Sequence, residues 1–151
     1  MIPVQALCNS ILKRSFDESV PVTPMKLQKI LYFIYRDYYQ KKKTKLFMDN
    51  FQPWQYGPVI TSVYDEFKSF GAKPISRFAK DANGNALIVK ESAVPDIAAS
   101  INVIWAECKG YSGTYLSRIT HLPNSAWSKA IENKYGVLKD EDILADDTEI
   151  S

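Results

Sequence analysis

Apolar residues recur at helical spacing along most of the chain. Val4, Leu7, Cys8, Ile11 and Leu12 form one stripe, which predicts a helix over 4–15. The segment SFDESVPV follows as a linker. Thr23-Pro24 then predicts a helix start, with the threonine as N-cap and the proline at the first helical position. This helix is expected to run to about Gln40. Leu27, Ile30, Leu31, Ile34 and Tyr38 share one face, with Lys29, Arg36 and Gln40 opposite. Tyr32, Tyr35 and Tyr39 form a flank of their own, and Phe33 lies outside the main stripe. A helix apolar on more than one side belongs in the centre of a fold, with neighbours on two sides.

Pro58 is expected to open the next helix, with Val59, Ile60, Val63, Phe67 and Phe70 on its inner face and Gly71 as its stop. ISRF (75–78) and ALIVK (86–90) flank Asn83-Gly84, which predicts a β-hairpin. DANGN resembles the start of a calcium loop, but its glycine comes too early, and a plain turn is the better reading. Ile97, Ile101, Ile104, Trp105 and Cys108 predict a helix over 95–109, stopped by Gly110. Ser112 can cap a shorter one ending at Thr120-His121, and residues 124–131 read as another. In the acidic tail KDEDILADDTEIS, Asp140 is a candidate cap, and residues 146–151 are expected to be disordered. The fold class is mainly α: one compact multi-helix domain over 1–145, with one β-hairpin inserted at about 75–90.

Composition adds bounds. The 151 residues are 46% hydrophobic and 24% charged, as in a folded globular chain long enough for a real core. No apolar run reaches the roughly 18 residues that a membrane span needs. The start, MIPVQALCNSILKR, lacks a basic opening and a cleavage site, so a cytoplasmic protein is expected, with Cys8 and Cys108 as buried free thiols. Net charge is +2, but residues 1–80 carry +7 and residues 81–151 carry −5. Such polarity can steer a charged partner, or be a solvated surface with an uneven order of charges.

Recognisable catalytic chemistry is sparse. His121 is the only histidine, neither cysteine has a nucleophile context, and GxSxG, GxGxxG and GxxxxGK are all missing. The cysteines and histidine are scattered without zinc-ligand spacing, so no metal or cofactor is expected. KKKTK (41–45) can touch phosphates, or complement the end of a helix.

The order of motifs resembles the Panacea-domain, or SocA-like, antitoxin family over roughly residues 4–145. TPMKLQKILYFIY (23–35), with Lys26 and Leu27, is similar to the family's opening of a long helix. FQPWQYGPV (51–59) is similar to its Trp-x-Tyr-Gly-Pro-Val motif, here Trp54, Tyr56, Gly57, Pro58 and Val59. YLSRITH (115–121) matches its Thr-His end at Thr120 and His121, and Trp127 matches a Pro-Trp segment, although Pro123 stands three residues further from the tryptophan. These motif residues are read as mainly structural. Trp54 and Tyr56 are expected to fold inward near His121 and Trp127, with Gly57 allowing a turn and Pro58 stiffening it.

The resemblance implies an antitoxin that neutralises a protein toxin encoded nearby by direct contact, in some members as an adaptor to an ATP-dependent protease. It implies no enzymatic activity. Interface hot spots favour Tyr and Arg, so Tyr32, Tyr35, Arg36 and Tyr39 are the candidate partner-binding residues. An alternative is a phage or mobile-element nucleic-acid-binding protein that uses the basic first half. A third is an enzyme with His121 as general base.

Overall fold

The computed structural model describes all 151 residues. Seven helices and one two-stranded ribbon follow in the order α1 (Val4–Glu18), α2 (Pro24–Lys42), β1 (Gln52–Trp54), β2 (Gly57–Val59), α3 (Thr61–Phe67), α4 (Pro95–Cys108), α5 (Gly113–Thr120), α6 (Ala126–Asn133) and α7 (Asp140–Ala145). The mainly helical class with one hairpin is as expected. None of the helices is long and apolar enough to cross a membrane.

Helix α2 is the axis. It touches α1, α3, α4, α5, α7 and β2. Every residue from Lys26 to Tyr35 is buried, so over that stretch the helix has no solvent face. Its start is built as the sequence implies: Thr23 accepts a hydrogen bond from the Lys26 amide at 3.2 Å, and Pro24 follows. Ser112 and Ser125 cap α5 and α6 in the same way, accepting from Tyr115 N and Ser128 N, each at 3.1 Å. Leu27, Ile30, Leu31, Phe33 and Ile34 join Leu7, Ile11, Phe47, Phe67, Ile101 and Leu116 in one core cluster of 34 buried residues. Cys8 and Cys108 lie in that core as free thiols.

The hairpin lies elsewhere than expected. β1 and β2 pair antiparallel with Gln52 opposite Val59, Pro53 opposite Pro58 and Trp54 opposite Gly57. The facing prolines occupy a pair at which neither strand needs an N–H donor. Residues 75–90 do turn at Asn83-Gly84, where the Asp81 carboxylate accepts from the amides of Asn83 and Asn85, both at 2.9 Å. Their arms form no ladder, because α1 takes their hydrogen bonds. Buried Asn9 accepts from Ala79 N at 2.7 Å and donates to Ala79 O at 3.0 Å and Leu87 O at 2.7 Å. Ser10 Oγ accepts from Val89 N at 3.1 Å.

Three smaller expectations are corrected too. Pro58 does not open a helix. It sits in β2, and α3 begins at Thr61, because the Gln28 amide holds both Ile60 N (2.9 Å) and Ile60 O (3.1 Å) in extended backbone. Lys139, not Asp140, is at the cap position of α7; Asp140 is the first helical residue and accepts from the Tyr35 hydroxyl at 2.9 Å. The tail expected to be disordered is docked. Asp146 is buried and accepts from Tyr32 OH (2.6 Å), Arg36 (3.1 Å), Ala126 N (3.1 Å) and Thr148 N (3.1 Å). Arg36 also donates to Thr148 Oγ1 and O at 2.7 Å, and Ile150 is buried, its carbonyl accepting from Tyr115 OH at 2.9 Å. Acidic composition promised a solvated end; the buried Tyr32 and the half-buried Arg36, both needing acceptors, captured it instead.

Asp146→Ala leaves Arg36 and Tyr32 without their buried acceptor. It is expected to cost about 3–5 kcal/mol, the usual loss when one partner of a buried pair is removed. Urea unfolding checks this, and a change under about 0.5 kcal/mol, the level of an ordinary surface substitution, would show that the tail is not anchored there.

Candidate functional site

The segment 54–60 runs past one end of α2, α5 and α6, and side chains from all three take its carbonyls. Trp127 Nε1 donates to Trp54 O at 2.7 Å. His121 Nε2 meets Gln55 O at 2.7 Å. Ser117 Oγ donates to Tyr56 O at 2.5 Å. Lys29 Nζ donates to Pro58 O at 3.0 Å, and Gln28 Nε2 to Ile60 O. A loop this rich in proline and glycine has little secondary structure of its own to satisfy its backbone, so side chains do it.

Gly57 is the tightest point. Its φ is 116°, a conformation that side chains rarely adopt. A Cβ there would lie 2.7 Å from Thr120 Oγ1 and 2.8 Å from Lys29 Cε. Thr120 is buried and donates to Ser117 O at 2.6 Å. His121 Nδ1 also lies 2.6 Å from Ser117 O, and the His121 and Trp127 rings are 3.8 Å apart. Both acceptors of His121 are carbonyls, so a neutral imidazole can donate to one of them at a time. Neither ring nitrogen is directed at open space.

The family-motif residues therefore converge. Leu27 and Val59 are buried, and Lys26, also buried, reaches across to Lys109 O at 2.6 Å. The expectation that Trp54 and Tyr56 fold inward is only half met. Trp54 is half-buried, its ring 4.9 Å from Tyr64, whereas Tyr56 is 59% exposed. The loop turns its backbone toward His121 and Trp127, and its tyrosine toward solvent.

The partner-binding residues expected on α2 point the other way. Tyr32 and Tyr35 are buried, and Arg36 is committed to Asp146 and Thr148. Tyr39 is half-buried and stacks on Tyr35 at 5.9 Å. With α2 surrounded, its aromatic flank is core. Sequence reasoning also placed Lys29 on the polar face, whereas it is buried. Gln28, Lys29 and Ser117 were missed as site residues. The available signal was two polar residues inside a helix apolar on several sides, which implies that each has a dedicated partner.

Burial lowers the Lys29 amine from its ordinary 10.5 to about 7. Burial pushes the Cys108 thiol up to about 12 and raises Cys8 as well, which leaves both as poor nucleophiles. The KKKTK lysines are occupied within the chain: Lys41 by Asp37 (3.0 Å), Lys42 by Asp96 (2.9 Å), Lys45 by Asp140 (2.8 Å) and Lys43 by Gln40 O. No group of three or more His, Cys, Asp or Glu side chains is placed to hold a metal ion.

On the outer side of the segment lies an open groove of about 400 Å³, between the start of α2 and α3. Met25, Trp54, Val59, Val63 and Phe67 wall it, with Tyr56 and the 41% exposed Tyr64 on its rim and Lys29 at its lining.

Two predictions test this construction. Gly57→Ala is expected to destabilise by about 2–4 kcal/mol, from strained backbone plus the clash with Thr120; an unshifted melting curve would mean that the crossing is looser than described. Lys29 gives a pH signature. Between about 7 and 10.5 the unfolded chain holds this proton and the folded protein does not, so stability rises with pH as the penalty on the buried ammonium is relieved. From about pH 7 to 8.5 the wild type should gain about 1–2 kcal/mol relative to Lys29→Met. Urea unfolding of both proteins at both pH values measures it, because the other titrating groups cancel in the comparison.

A profile of the family described as "Antitoxin SocA-like, Panacea domain" matches residues 27–128, about two thirds of the chain. The match spans α2, the carbonyl-captured segment, α5 and the start of α6. The chain is also similar to the protein named Antitoxin SocA from Caulobacter vibrioides (strain NA1000 / CB15N), with 28% identity over 129 residues, covering 83% of this chain and 69% of the relative. No solved structure matches. From α2 to the turn of Trp127, the residues that build the crossing fall within that profile, and the chain belongs to the SocA-like, Panacea-domain antitoxin family.

Proposed function

We propose that this protein neutralises a protein toxin by direct contact and is not itself an enzyme. Its membership of an antitoxin family, supported by the similarity to a protein named Antitoxin SocA, carries this reading. Two structural features support it. The crossing at 54–60 uses its polar groups on one another, as a scaffold does, and His121 has both nitrogens directed at carbonyls. The rim tyrosines, Tyr56 and Tyr64, stand solvent-exposed beside an open apolar groove, the arrangement of an interface anchor site. A stable complex would bury on the order of 1,200–2,000 Å² in total. The toxin is taken to be encoded nearby. Delivery to an ATP-dependent protease is a variant of the same reading, since it also begins with capture. Nucleic-acid binding has less support, because the lysines best placed for phosphate are paired internally.

Co-expression with the neighbouring open reading frame tests it. The neighbour alone is expected to arrest growth, and this protein to restore growth and co-purify with it. Restored growth with disappearance of the toxin would point to the adaptor variant. A harmless neighbour, or rescue without capture or loss of the toxin, would overturn the reading.

A further inference from the structure

The chain after α7 is laced across the helices that secure the crossing. Asp146, Thr148 and Ile150 are buried, whereas Asp147 and Glu149 between them are exposed. That is the two-residue alternation of an extended segment. No main-chain to main-chain hydrogen bond involves residues 147–151. Side chains fix the segment instead: Gln40 donates to Asp146 O at 2.7 Å, Arg36 to Thr148 O, and Tyr115 to Ile150 O. The segment can therefore leave without breaking a helix or a ladder.

Its two ends reach the clamps of the crossing. Asp146 Oδ2 accepts from Ala126 N at 3.1 Å, one of the first amides of α6, which the helix itself leaves without a partner. The next residue is Trp127, whose indole holds Trp54 O. The same Asp146 oxygen accepts from Tyr32, so one carboxylate joins α6 to the central helix. At the other end, Tyr115 of α5 holds Ile150 O. Ser117, two residues further along α5, holds Tyr56 O, and His121, at the end of that helix, meets Gln55 O. Helix α6 has eight residues and buries only Ala126 and Ala130. A helix so short is placed by its contacts rather than by its own stability. Residues 58–60 differ, because Lys29 and Gln28 hold them from α2 directly.

We propose that residues 146–150 are a releasable strap that keeps α5 and α6 closed on residues 54–56. With the strap docked, the face carrying Tyr56 is firm; with it undocked, that face is loose. The linkage is reciprocal, so a partner that fixes residues 54–56 also tightens the strap. The coupling is a property of the fold and holds for any partner that meets that face.

Indole protons report on it by NMR. Trp127 Nε1–H is the clamp on Trp54 O, whereas Trp105 Nε1–H is bonded to Glu18 on α1 at 2.9 Å and serves as reference. The amide of Ile60, bonded to Gln28, reports on the part of the crossing held from α2. Ile150→Asp puts a charge at a buried aliphatic position and alters no helix. Tyr115→Phe removes one strap anchor and keeps the ring that stacks on Tyr111 at 4.4 Å. Asn9→Ala, which removes the partner of the 75–90 arms on α1, is the control for general destabilisation. In Ile150→Asp, residues 147–151 are expected to become mobile by heteronuclear NOE, and Trp127 Nε1–H to exchange about tenfold faster, within the usual range of coupling between sites. Trp105 Nε1–H and Ile60 N–H keep their wild-type rates, and Tyr115→Phe moves Trp127 in the same direction by less. A mobile tail with an unchanged Trp127 would overturn the coupling. Equal acceleration of all three protons, or the same acceleration of Trp127 in Asn9→Ala, would reduce it to lost global stability. A tail that stays docked in Ile150→Asp would overturn the strap as a releasable unit.

Discussion

From Lys26 to Tyr35 helix α2 is buried on every side and yet carries polar side chains, and the segments around it are arranged to satisfy them. Lys26 takes the carbonyl at the end of α4, Gln28 and Lys29 take the segment 58–60, Tyr35 takes the start of α7, and Tyr32, Arg36 and Gln40 take the tail around Asp146. No buried polar side-chain atom is left without a partner. Apolar packing holds the helix in place without direction. The polar contacts supply direction, because a buried donor without an acceptor is penalised and only particular segments bring one. The helix thus works as a template that positions the segment 58–60, the end of α4, the start of α7 and the tail.

The same logic explains the crossing at 54–60. Two facing prolines and a strained glycine leave a ribbon too short to hold itself. It is secured by bonds to its carbonyls from Trp127, His121, Ser117, Lys29 and Gln28, which belong to α2, α5 and α6 and their ends, all distant from the segment in sequence. Anchoring the backbone inward leaves the side chains of Tyr56 and Tyr64 free to face outward over the groove. The scaffold and the exposed aromatic face are the two sides of one segment, so a rigid inner side holds the outer aromatics in place.

The uneven charge along the chain is largely spent within the fold. Arg14 with Glu91, Arg36 with Asp146, Lys42 with Asp96 and Lys45 with Asp140 each join the basic first half to the acidic second half. The more exposed of these pairs contribute little stability each. They do occupy Lys42 and Lys45 of the lysine run, and they favour one register of the tail and of α4 against α2.

Local signals in the sequence carried the helices: apolar residues at helical spacing and N-caps such as Thr23, Ser112 and Ser125 act within a few residues, so they are legible without a partner. The motif residues were legible as a group for the same reason, though not their roles. What the tertiary structure decided was every feature that depends on where a hydrogen-bonding group finds its partner. Asn83-Gly84 makes its turn, but Asn9 and Ser10 on α1 draw off the bonds a ladder would need. Residues 146–151 read as solvated until Arg36 and the buried Tyr32, more than a hundred positions away in sequence, bind Asp146. Tyr32 and Lys29 look like surface groups on a helical wheel because the wheel counts one apolar face, and this helix is packed on all of them. Periodicity is a property of the neighbouring chain; burial and pairing belong to contacts that only the closed fold brings together.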